Sequence, residues 1–147
     1  MPLVSAECIT LNSDWRSKEE VLKGMTDNLL LAGRCRYPRK LEADLWAREA
    51  VFSTGLGFSF AIPHSKSEHI EQSTISVARL AQPVMWGDEE AQFVIMLTLN
   101  KHSAGDQHMR IFSRLARRIM HAEFRQALVS AQSREDIAQL LRRELEL

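Results

Sequence analysis

Residues 92–99, Gln-Phe-Val-Ile-Met-Leu-Thr-Leu, are apolar at nearly every position. A strand with one wet face alternates apolar and polar side chains; a strand covered on both faces does not. This run therefore predicts a central strand with a layer of structure packed on each side. It is far shorter than the roughly 20 residues needed to cross a bilayer. The chain around it offers helices before and after, as such covering layers require.

Ser17-Lys18-Glu19-Glu20 reads as a capping box, with Ser17 as N-cap and Glu20 reaching back. Leu22, Met25 and Leu29 follow at helical spacing, and Gly33 suits the position just past the helix end. Pro38 opens a second helix, with Leu41, Leu45 and Trp46 on its buried side, running to about Val51. Strands are predicted for Cys8–Leu11, for Phe58–Ile62 after a break at Gly55 and Gly57, for Ser73–Leu80, for Pro83–Trp86 and for Gln92–Leu99. Asp106 is the expected N-cap of a helix carrying Phe112, Leu115, Ala116 and Ile119. A short helix over residues 123–131 and a last one capped by Ser133, with Ile137, Leu140 and Leu141, complete the order. The predicted fold is α/β, a single-domain sandwich with a central mixed β-sheet flanked by helices on both sides.

The 147 residues suit one domain over 1–147. A domain of this size buries roughly 68–70% of its unfolded surface and needs no covalent staples. Nineteen basic and nineteen acidic side chains balance, which argues against nucleic acid as the main partner. Cys8 and Cys35 have no metal or redox spacing and are read as reduced, buried thiols. The first residues lack the basic start and apolar core of a signal peptide, so a soluble cytoplasmic protein is expected.

Three side chains stand out for chemistry. His64 follows Pro63 at the end of a predicted strand, among small residues that let backbone N–H groups approach an anion. A neutral imidazole there can serve as nucleophile, base or metal ligand; the plain alternative is a surface-loop histidine. His108 sits in a first helical turn, where the dipole favours an anion, or is simply a half-exposed helical residue. Arg48, near the end of the second helix, can fork onto phosphate oxygens or merely complement the dipole. A metal or hydrolytic site using His64 and His69 has no HExxH or paired cysteines behind it. Arg110, Arg114, Arg117 and Arg118 read as a solvated helix face. Walker loops, GxSxG elbows and paired catalytic carboxylates are not found in the sequence.

Residues 48–66, REAVFSTGLGFSFAIPHSK, resemble the active-site segment of the fructose/mannitol-type enzyme IIA domains of the bacterial phosphoenolpyruvate-dependent sugar phosphotransferase system. The later GDQHMRIFSRLARRI (105–119) and the opening ITLNSDWRSKEEVLKGMTDNLLLAGR (9–34) are similar to the same family. The resemblance implies His64 as phosphoryl acceptor, His108 as second active-site histidine and Arg48 as the phosphate-facing arginine, with neither cofactor nor metal. It implies HPr as donor and an enzyme IIB domain as acceptor, with association with a IIC permease but no membrane insertion. Two roles fit: a carrier for sugar uptake, or a nitrogen-type regulatory switch acting by protein binding. One departure is Ser65, where the family usually has glycine; it adds a Cβ and a hydroxyl and tests whether the backbone there needs glycine.

Overall fold

The computed structural model describes residues 2–103 and 105–147, without the side chains of 105–107. Five helices and a six-stranded mixed sheet follow in the order β1 (Ile9–Ser13), α1 (Lys18–Leu31), α2 (Pro38–Glu49), β2 (Gly55–Gly57), β3 (Phe60–Ala61), β4 (His64–Ser67), β5 (Thr74–Trp86), β6 (Glu89–Asn100), α3 (Gly105–Ile119), α4 (Ala122–Ser130) and α5 (Arg134–Leu145). The apolar run is the centre of the sheet. β6 is antiparallel to β5 on one edge and parallel to β3 and β4 on the other. Phe93, Ile95 and Leu97 pack with Leu115 and Ile119 of α3, Leu128 of α4 and Leu141 of α5. Val94 and Met96, pointing the other way, pack with Leu22 and Met25 of α1 and Leu41 and Leu45 of α2. Both faces are dry, so the alternation that a half-exposed strand needs is absent.

Ser17 Oγ accepts from the Glu20 N–H at 3.1 Å. The Glu20 carboxylate reaches back one residue further than a reciprocal box, accepting from the Arg16 N–H at 3.2 Å. Ser133 caps α5 in the same way, accepting from Asp136 at 3.0 Å. Cys8 and Cys35 are free and buried.

Several boundaries differ from expectation. Residues 6–8 make a 3-10 turn, so β1 starts at Ile9 rather than Cys8, and α2 ends at Glu49 rather than Val51. The glycines predicted to break the chain instead form β2, and the turn falls on Phe58 and Ser59, whose φ values are 59° and 66°. Only Phe60 and Ala61 remain of the predicted 58–62 strand. Pro83–Trp86 is no separate strand: β5 runs through it, absorbing residues 80–83 in a register shift between Arg79 and Val84. Proline cannot donate to a ladder, and a bulge is where a strand tolerates it. The capping role of Asp106 lies outside the described side chains; α3 begins at Gly105.

Gly24 shows how closely α1 is covered. A Cβ there would fall on the indole ring of Trp15. Gly24→Ala should therefore destabilise the fold: overpacking costs about 1–3 kcal/mol, more than the ~0.8–1.0 kcal/mol gained in helix propensity. A urea midpoint below that of the wild type checks this; an unchanged or raised midpoint contradicts it.

Candidate functional site

Residues 60–67 run beside β6 in one register, Phe60 opposite Phe93, Ala61 opposite Val94 and His64 opposite Leu97. His64 is thus the first residue of β4, not the tip of a loop after a strand. Between the two short strands, the Pro63 carbonyl accepts from Leu97 N–H at 3.0 Å, while the Ile62 N–H turns the other way and donates to Thr54 O at 3.1 Å. The Ile62 carbonyl is then taken by His64 Nδ1, 2.9 Å away. A carbonyl only accepts, so Nδ1 carries the proton and Nε2 keeps its lone pair.

The ring rests on Phe112 of α3, centroids 4.4 Å apart and planes 53° apart. Burial, the largest influence, pushes the His64 pKa below the ordinary value of 6.5; the Ile62 bond opposes this, the Arg48 charge adds to it and the Glu49 charge opposes it. At pH 7 the site therefore holds a neutral imidazole with one available nitrogen. An NMR titration of the ring protons should give a midpoint below 6.5. As pH falls through 6.5 the unfolded chain takes up this proton first, and the folded state loses stability until the folded pKa is passed. A midpoint at or above 6.5 would contradict the burial argument.

Arg48 lies in the last turn of α2. Its Nη1 donates to Phe52 O at 3.1 Å, and the guanidinium lies 5.0 Å from the Phe52 ring centroid. Among the described residues, this is its one hydrogen bond, which leaves most of the fork for an anion.

The next residue, Glu49, completes the arginine–glutamate pair that opens the segment resembling the family's active site. Its carboxylate is buried and accepts from Lys18 Nζ at 2.8 Å, from the Thr54 N–H at 3.2 Å and from Thr54 Oγ1. The Thr54 hydroxyl in turn accepts from Trp86 Nε1 at 3.0 Å. The available signal was a carboxylate at a helix C-terminus, where the dipole disfavours it.

His108 sits one helical turn before Phe112, so α3 brings it to the same side of the sheet as His64. Among the described residues no hydrogen bond joins the two histidines. His108 lines a hollow of about 440 Å³ with Pro2–Val4, Ile111, Arg142 and Leu147. The structure thus brings Arg48 and Glu49 to bear on His64 and places His108 at one remove.

Ser65 sits opposite Thr98 in β4, in extended backbone outside the positive-φ region. The missing glycine thus introduces no strain. Among the described residues no three His, Cys, Asp or Glu side chains converge as metal ligands. His69 lies by Glu68, its ring nitrogen 3.7 Å from that carboxylate. Arg114 and Arg118 pair with Glu146 and Glu144 on the outer face of α3. The largest hollow described, about 560 Å³ beside Phe58 and Arg79, is not lined by His64. Among the described residues no helix is long and apolar enough to cross a membrane.

His64 is thus a half-buried, neutral imidazole with one available nitrogen, under the influence of the Arg48 and Glu49 charges. The family model of the phosphoenolpyruvate-dependent sugar phosphotransferase system, EIIA 2, matches residues 2–144. The chain belongs to this family. A IIA domain is a phosphotransferase component that carries phosphoryl groups, and the α/β sandwich is the fold its members share. The chain is 88% identical over 146 residues to multiphosphoryl transfer protein 2 of Escherichia coli (strain K12), covering 99% of itself but only 18% of that relative. It is 32% identical over 127 residues to a fructose-like EIIA component of the same organism, covering 84% of itself and 85% of that protein. Among solved structures, the nitrogen regulatory protein IIA-Ntr of Neisseria meningitidis superposes with a TM-score of 0.84 at 24% identity, covering 95% of this chain and 96% of that one. Enzyme IIA for mannitol, in complex with phosphorylated enzyme IIB from E. coli, gives 0.75 at 21%, covering 93% and 95%. At those identities the structural likeness speaks for the fold.

Proposed function

We propose that residues 1–147 act as one cytoplasmic IIA unit of a sugar phosphotransferase system, taking a phosphoryl group from phospho-HPr onto Nε2 of His64 and passing it to an enzyme IIB domain during sugar uptake. The observation that carries this reading is the 2.9 Å contact from His64 Nδ1 to the Ile62 carbonyl, which leaves Nε2 unprotonated. As the Nε2–P bond forms, the bond from phosphorus to the donor breaks. No proton has to leave Nε2 first, and Nδ1–H stays on Ile62. Phosphoryl transfer passes through a loose transition state, so the protein's work is positioning and charge stabilisation. Arg48 supplies the guanidinium for the equatorial oxygens, and His108 and backbone N–H groups supply further donors. The bond to imidazole nitrogen is labile, so the reverse step, to the IIB acceptor, is equally accessible.

Uptake is favoured over regulation by the similarity to a fructose-like EIIA component, which covers 85% of that protein. The IIB acceptor is supported by the mannitol IIA neighbour, which was solved with phosphorylated IIB. Incubation with phosphoenolpyruvate, enzyme I and HPr, followed by intact mass, tests the reading: one acid-labile phosphoryl group is expected, lost again when a IIB domain is added. A folded protein that takes up no phosphoryl group would overturn it.

A further inference from the structure

We propose that the buried Lys18–Glu49–Thr54 linkage is a positioning device that holds the Ile62 carbonyl against His64 Nδ1 and so fixes which imidazole nitrogen is free to react. The proposal rests on His64 being the phosphoryl acceptor.

The linkage is a chain of directed contacts. Lys18, at the start of α1, puts Nζ 2.8 Å from Glu49 Oε2 and lies between the rings of Trp46 and Trp86, 5.4 and 5.1 Å from their centroids. Glu49, at the end of α2, takes both the N–H and the hydroxyl of Thr54. With Trp86 Nε1 donating to it as well, the Thr54 hydroxyl has a fixed orientation. Thr54 O then receives the Ile62 N–H, and Ile62 O receives His64 Nδ1–H. Every member is thereby tied to the next, from a helix on one face of the sheet to the reactive ring.

Two features make this more than packing. The Glu49 side chain is 3% exposed and that of Lys18 is 14% exposed. A buried ion pair is a poor source of net stability compared with apolar side chains of similar volume. Its advantage lies in direction, since each charged group accepts or donates at set angles. The linkage also closes a segment that needs closing. The β2–β3 turn places Phe58 and Ser59, neither of them glycine, at positive φ, a conformation that persists only when its surroundings impose it. Pinning Thr54 to Glu49 at one end and to Ile62 at the other fixes both strands below that turn. Glu49 also directly follows Arg48, so anchoring its carboxylate steadies the turn that aims the guanidinium.

Nitrogen NMR of the His64 ring in the unphosphorylated protein tests this directly, alongside the rate of phosphoryl uptake from phospho-HPr. In the wild type, Nδ1 should be the protonated nitrogen. In Glu49→Gln and Thr54→Val, the ring should sample both tautomers, and uptake should slow on the order of 10–100-fold, as expected for a misplaced reacting group. Thr54→Ser, which keeps the hydroxyl, should restore both the tautomer and the rate. If the wild type accepts phosphoryl and the two variants keep a pure Nδ1–H tautomer, the proposal is overturned, whatever their rates, because the loss is then merely structural. Should Glu49→Gln fail to fold, Thr54→Val carries the test. Failure of the wild type itself to accept phosphoryl would refute the carrier reading, while the tautomer comparison still decides whether the linkage orients the ring.

Discussion

His64→Ala should leave a folded protein that takes up no phosphoryl group at all. The reason is chemical. The transfer needs an unprotonated nitrogen with a labile bond to phosphorus, and no neighbouring side chain offers one in the same place. Ser65 is adjacent, but its hydroxyl donates to the Lys66 carbonyl at 3.2 Å, and a serine phosphate would be a poor relay. The ring is only half buried and its main packing partner is Phe112, so the fold should survive its removal. Circular dichroism should match the wild type while intact mass shows no addition. A mutant that still gains an acid-labile phosphoryl group would move the acceptor elsewhere, with His108 the first position to examine.

Arg48→Ala should slow uptake on the order of 10²–10³-fold, the cost of removing one preorganised donor of transition-state charge. The loss should fall on the rate at saturating phospho-HPr more than on its half-saturating concentration, because the guanidinium meets charge that develops during transfer. Arg48→Lys should recover only part of the rate, since an ammonium is a point charge without the planar fork. A second readout is independent of kinetics. Arg48 is one of the influences lowering the His64 pKa, so Arg48→Ala should raise the imidazole titration midpoint. A mutant with unchanged rate and unchanged midpoint would remove Arg48 from the site.

The parts of the fold that were legible in the sequence are those specified locally. The apolar run in β6 announced a strand covered twice, and Ser17, Pro38 and Ser133 marked helix starts by chemistry that needs only neighbouring residues. The failures share one cause. Glycine signalled a turn at 55–57, yet the chain turns one step later, on Phe58 and Ser59. Phe58 is held there by the Arg125 guanidinium, 3.9 Å from its ring centroid and contributed by α4. That contact joins residues far apart in sequence and leaves no local trace. Pro83 likewise looked like a strand start, because the bulge that accommodates it is defined only by pairing with β6. In the site, His64 and Arg48 were legible through their segment, and the tautomer of His64 was not. Glu49 was legible only as the second half of the Arg48–Glu49 pair in that segment; its contacts were not, because they come from Lys18, 31 residues earlier, and from Trp86 through Thr54.

Phosphorus and nitrogen NMR of the protein phosphorylated through enzyme I and HPr decides whether Nε2 of His64 carries the phosphoryl group. A single phosphohistidine is expected, with phosphorus coupled to Nε2 of His64 and a proton retained on Nδ1. Phosphorus bonded to Nδ1, or to any other residue, would contradict it.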